Sequence, residues 1–262
     1  MINQNWNSAY TSRLIRTVII VAVVVGIRIY YDRTNTDPQS IQKNNDAVAA
    51  AAAGNTDQAI IQFQQAANTA SSNETKIAAL KNLGYSYDTK GDTDNAKKAF
   101  AQALALANKD SFDFYLTSGN IALLNAYPKT ADIDFKQAYK LDPNDFQINN
   151  SLADFYMDID DTYPDYANPK EALMYAKKAY ELNPADFVKQ NLGAAYMLNG
   201  DYDNAISTFQ TVTLDKDTYV AYYIGLAYVK KGDAVNAKKY LQTAVDNGVK
   251  VPQDVLDFLK KK

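Results

Sequence analysis

The chain has neither histidine nor cysteine among its 262 residues. Without histidine it lacks the usual general base and the commonest metal ligand. Without cysteine it has no disulfides, no thiolate nucleophile and no zinc–thiolate site, an absence compatible with export that does not by itself fix a compartment. Arginine does not occur after Arg33, which removes bidentate capture of a carboxylate from the rest of the chain. Glycine and proline are scarce, at 10 and 7 residues, and alanine is plentiful, so long stretches favour helix. Nor is there a basic excess: 27 Lys and Arg face 30 Asp and Glu, for a net charge of −3. Nucleic-acid binding therefore has no electrostatic support. Carboxylates, lysines, serines and 20 tyrosines are left to do any chemistry.

Long apolar runs are also missing, with one exception. After a polar tail over 1–13, residues Leu14 to Tyr31 form a Val/Ile-rich segment. Its uncharged part, Thr17 to Ile27, spans only about 16 Å as a helix, against roughly 30 Å of bilayer core. The whole of 14–31 reaches roughly 27 Å, with Arg16 and Arg28 near the ends, where their stems can snorkel. Tyr30 and Tyr31 suit the interface. A single-pass anchor is the favoured reading. A cleaved signal peptide, which lacks small residues at a cleavage site, and a buried strand or helix remain open. Arg13 and Arg16 before the segment balance Arg28 and Arg33 after it, and the free amino terminus tips the count slightly toward N-in, placing the bulk of the chain outside a bacterial-type cytoplasmic membrane. Residues 32–39 read as a linker interrupted by Pro38, with Ser40 as a helix cap.

Beyond the linker one pattern recurs. Leu83-Gly84 is followed by Tyr87, then Gly91, then Ala96 and Phe100 four residues apart on one helical face. The same types return at Leu192, Gly193, Tyr196, Gly200, Ala205 and Phe209, and again at Ile224, Gly225, Tyr228, Gly232, Ala237 and Leu241. Weaker copies hold Gly119, Ala131 and Phe135; Leu152, Ala153, Tyr156 and Ala172; and Ala47, Gly54, Ala59 and Phe63. In the third copy, Ser118 and Ala122 stand where leucine and tyrosine are expected. The fourth carries roughly seven extra residues around Asp160 to Asp165, a loop-sized insertion. Small residues facing large ones let paired helices approach closely.

The pattern resembles the tetratricopeptide repeat, whose signature W-x2-L-G-x2-Y…A-x3-F…P runs over 34 residues. The resemblance implies an all-α chain: a right-handed α-solenoid of about six helical hairpins whose first helices line a concave face. The expected hairpins are 40–74, 77–110, 112–145, 146–185, 186–217 and 218–250. A capping helix over 251–262 should close the array, and one transmembrane helix should precede it.

Enzymatic equipment is not expected. Asp158, Asp160, Asp161 and Asp165 in the insertion are acidic enough to suggest calcium, but Thr162 takes a ligand position and no glycine follows, so a solvated loop is the better reading. Carboxylate pairs such as Asp154 and Asp158 are inevitable among 30 acidic residues, and an array of hairpins offers no enclosed cleft. No cofactor and no metal are expected.

The family's concave face maps here onto Lys81, Tyr85, Asn120, Asn150, Asp154, Phe187, Gln190, Met197, Tyr219 and Tyr222, with Asp88, Leu116, Leu123, Gln147, Met157 and Leu226 between them. Amides can bond an extended peptide backbone and aromatics supply anchors. Some of these side chains could instead only pack against the next hairpin. The carboxylate clamp of family members that bind acidic tails is not met, since Tyr85 follows Lys81 where asparagine would stand. The resemblance implies a scaffold for a protein or peptide partner, held at a membrane by 14–31, among subunits of a membrane complex. The alternative is a structural subunit that self-associates.

Overall fold

The computed structural model describes residues 38–158, 161–212 and 218–260. Leu14–Tyr31, and with it the expected anchor, lies outside them. Among the described residues there are thirteen α-helices and no strand, and no helix is long and apolar enough to cross a membrane. The chain divides into two compact units, with the boundary between Leu152 and Ala153.

The N-terminal unit contains α1 (Pro38–Ala52), α2 (Thr56–Thr69), α3 (Asn73–Thr89), α4 (Thr93–Leu106), α5 (Phe112–Leu124), α6 (Pro128–Leu141) and the first part of α7 (Phe146–Met157). Helices pair as α1 with α2, α3 with α4 and α5 with α6, and successive pairs touch through α2 with α3 and α4 with α5. The sequence dictates the pairing through volume. An ideal Cβ on Gly84 would lie 2.8 Å from the Phe100 ring, and one on Gly119 would lie 2.5 Å from Phe135. Phe63, Phe100 and Phe135 are fully or almost fully buried, each contributing roughly 2–3 kcal/mol from its apolar area.

The C-terminal unit holds the rest of α7, then α8 (Pro169–Leu182), α9 (Asp186–Leu198), α10 (Tyr202–Gln210), α11 (Thr218–Lys231), α12 (Ala234–Asp246) and α13 (Gln253–Lys260). Phe209 occupies the notch left by Gly193, and Leu241 the one left by Gly225. Helix α13 closes this unit with Val255 buried and Phe258 and Leu259 packed on the core.

Turns and caps repeat with the same register. Gly91, Gly200 and Gly232, each seven residues after the signature glycine, have φ between +75° and +79°. The third hairpin places Ala126 there, at φ +58°. Asp92, Asp201 and Asp233 then cap the second helices by accepting the backbone N–H of Asn95, Asn204 and Asn236. The asparagine side chain donates to the second carboxylate oxygen in all three. At Asp92 and Asp233 these bonds hold the carboxyl below the usual range.

One expectation about the first helix is corrected. Helix α1 starts at Pro38, whose missing N–H costs nothing at a first helical position, so Ser40 lies inside the helix and does not cap it. Ser40 is buried, with its hydroxyl 2.9 Å from that of Thr69.

Candidate partner-binding face

The residues expected to meet a partner sit on the first helix of each hairpin, most of them in two registers. Lys81, Asn150, Gln190 and Tyr222 lie three residues before the signature small residue, and Tyr85, Asn120 and Asp154 one after it. In the N-terminal unit these side chains are buried. Lys81 is 6% exposed, Tyr85 2%, Asn120 8% and Asn150 2%.

Lys81 Nζ donates to Asp113 Oδ1 at 2.6 Å and to Gln147 Oε1 at 3.1 Å, and lies 5.9 Å from the centre of the Phe112 ring. One side chain on α3 thus reaches α5 and α7. Tyr85 makes a second tie. Its hydroxyl accepts from Asn120 Nδ2 at 2.8 Å and bonds the Ser151 side chain, while its ring meets Phe100 edge-on at 5.1 Å. Burial, ahead of any charge nearby, pushes the Tyr85 hydroxyl well above the usual phenol range. Asn120 Nδ2 also donates to the Leu116 carbonyl at 2.9 Å, so this amide nitrogen is fully used.

Several of the expected residues are more open in the C-terminal unit. Gln190, Tyr219 and Tyr222 keep part of their surface, whereas Phe187 and Met197 are buried at 7% and 9%. Asp154 retains some surface, but the protein crowds it closely. Its carboxyl is pushed up to about 8 by loss of solvent, and Asn191 Nδ2 donates to Oδ1 at 2.9 Å. Tyr222 is pushed up to about 12, by burial first and then by the Asp254 carboxylate of α13.

Asp113, Ser151 and Asn191 were not among the expected face residues, although all three hold one that was. Asp113 and Gln147 share a register, six residues before Gly119 and Ala153. A lysine at one position and an acid and an amide at this one were the signal for the bridge.

The insertion after α7 is organised by its first acid. Asp158 has φ +39° and accepts the backbone N–H groups of Thr162 at 3.0 Å and Tyr163 at 2.9 Å. Tyr163 and Tyr166 lie 6.5 and 5.5 Å from the Phe155 ring, and the Asn168 N–H closes the loop on the Tyr156 carbonyl at 2.8 Å. Asp160 is outside the described residues. Among the described residues no group of three acids is gathered to hold a metal.

Family models for the tetratricopeptide repeat match residues 78–110, 190–218 and 219–247. The chain carries tetratricopeptide repeats. Among solved structures, the APC/C hetero-tetramer Cut9–Hcn1 is similar at TM-score 0.62 and 18% identity, over 98% of this chain and 48% of that one. The chain therefore spans about half the length of that relative. PilF from Pseudomonas aeruginosa is similar at TM-score 0.55 and 21% identity, over 71% of this chain and 82% of that one. PilW, described as a widely conserved type IV pilus biogenesis factor, gives 0.54 and 16%, over 70% and 82%. At these identities the likeness shows the repeat fold alone. No curated protein matches the chain.

Proposed function

We propose that the protein is a membrane-anchored repeat scaffold that holds a protein partner on the first-helix face of its C-terminal unit, and that it performs no catalysis. One observation carries the choice of face: Gln190 and Tyr222 keep accessible surface, with Tyr219 partly exposed beside them, while Lys81, Leu116 and Asn150 at the equivalent position of the N-terminal unit are buried. Tyrosines on a rigid helix give large contact area at little entropic cost, and a glutamine beside them can bond an extended backbone. That Cut9, with the same fold, was solved in a hetero-tetramer is fold-level support for a holding role.

The anchor is Leu14–Tyr31, oriented N-in, with the repeats on the far side of a bacterial-type membrane and partners drawn from a membrane or envelope assembly. Nucleic acid is not a partner in this reading, because the net charge is −3.

The test is capture from native membranes with the full chain. Alanine at Gln190, Tyr219 and Tyr222 together is expected to abolish recovery of the partner at unchanged helicity. Undiminished recovery refutes this face. Protease protection on vesicles tests the orientation, and digestion of the repeats on the cytoplasmic side contradicts N-in. A second reading, self-association, is favoured by Ile133 and Leu141 on α6, each about half exposed. Sedimentation of the chain as a monomer removes it.

A further inference from the structure

We propose that Lys81, Asp113 and Gln147 form an ionic latch that draws α3, α5 and the start of α7 together, and that its release opens this stretch while the rest of the fold stays intact. The inference does not depend on the partner face proposed above.

In a repeat array each unit ordinarily touches only its neighbours. Lys81 bonds Asp113 on the next first helix and Gln147 on the one after it. Tyr85 follows the same course, to Asn120 and then to Ser151. Two ties therefore run in parallel past a hairpin, in addition to ordinary neighbour packing.

The ion pair is asymmetric. The Lys81 side chain is 7% exposed and the Asp113 side chain 39%. Water and salt ions reach the acid, so the attraction can be screened, while the ammonium depends on the acid for its place in the interior.

The closed arrangement also leaves polar atoms unsatisfied. Thr117 Oγ1 and Gln147 Nε2 are buried and find no hydrogen-bond partner among the described residues. Both lie on helices that the latch ties, and opening would offer them water. Their hydration offsets part of the packing energy that opening gives up, which brings the two arrangements close in free energy.

Hydrogen exchange read by mass spectrometry on the full chain tests the latch, at about 0.05 M and about 1 M salt. High salt is expected to speed amide exchange in α3 and α5 by about fivefold or more, with α11 and α12 unchanged. Asp113→Asn should show the fast pattern already at low salt, because it strands the ammonium. Lys81→Met, which leaves a solvent-reachable acid and takes the donor away from Gln147 Oε1, should fold, exchange slowly and lose the salt response. Exchange in wild-type α3 and α5 that ignores salt, or a Lys81→Met chain that keeps the wild-type response, overturns the proposal.

Discussion

Gly84 and Phe100 are packed so closely that a single methyl group on the glycine would fall 2.8 Å from the ring. The ring is 2% exposed and also carries Tyr85 on its edge, so it has nowhere to go. Gly84→Ala gains helix propensity but must push two helices apart. We expect a net loss of about 1–3 kcal/mol, read from the urea midpoint. A neutral or stabilising outcome would mean that this contact does not set the α3–α4 distance.

Ala126 holds φ +58° at a turn where the equivalent positions are Gly91, Gly200 and Gly232. A left-handed alanine costs about 1–2 kcal/mol that glycine avoids. Ala126→Gly should therefore stabilise the third hairpin by about 1 kcal/mol, seen as slower amide exchange in α5 and α6. Glycine at the other turns leaves no such gain to be made there.

Asp154 gives stability a direction with pH. Its folded carboxyl titrates at about 8, well above the unfolded value near 4. The folded state thus holds the proton more tightly. The contribution is fully present below the unfolded pKa and is lost as pH rises toward the folded one. The urea midpoint should fall between pH 5 and pH 9, and Asp154→Asn should flatten that fall by on the order of 2 kcal/mol. Parallel profiles for the two proteins would contradict the assignment.

Tyr85→Phe keeps the ring against Phe100 and deletes the hydroxyl that Asn120 and Ser151 share. One Asn120 Nδ2 hydrogen retains the Leu116 carbonyl, while the other loses its acceptor in a buried setting. A loss of about 1–3 kcal/mol is expected, measured by thermal melting. A loss several times larger would show that the hydroxyl does more than tie neighbouring first helices.

Pairwise packing was legible in the sequence, because it depends on residue types at fixed spacing. Gly84 with Phe100 and Gly193 with Phe209 announce themselves, and Gly119 meets Phe135 in the same way even though Ser118 and Ala122 blur the third copy. Burial of the first-helix face was not legible. Whether Lys81 or Tyr85 meets water depends on the side chains of the next two hairpins. The repeat signature leaves positions such as Asp113, Gln147 and Ser151 unspecified, although those residues consume the face. The start of α1 was hidden for a related reason: serine at Ser40 suits a cap by type, while Pro38 suits a first turn by geometry.

Site-specific photocrosslinking in native membranes decides whether a partner sits on the first-helix face of the C-terminal unit. A crosslinker replaces Gln190 or Tyr222 on the first helices, or Val235 at the exposed start of α12, where the side chain is 80% exposed. The account predicts one common partner adduct from Gln190 and Tyr222 and none from Val235. An adduct from Val235 alone would contradict it.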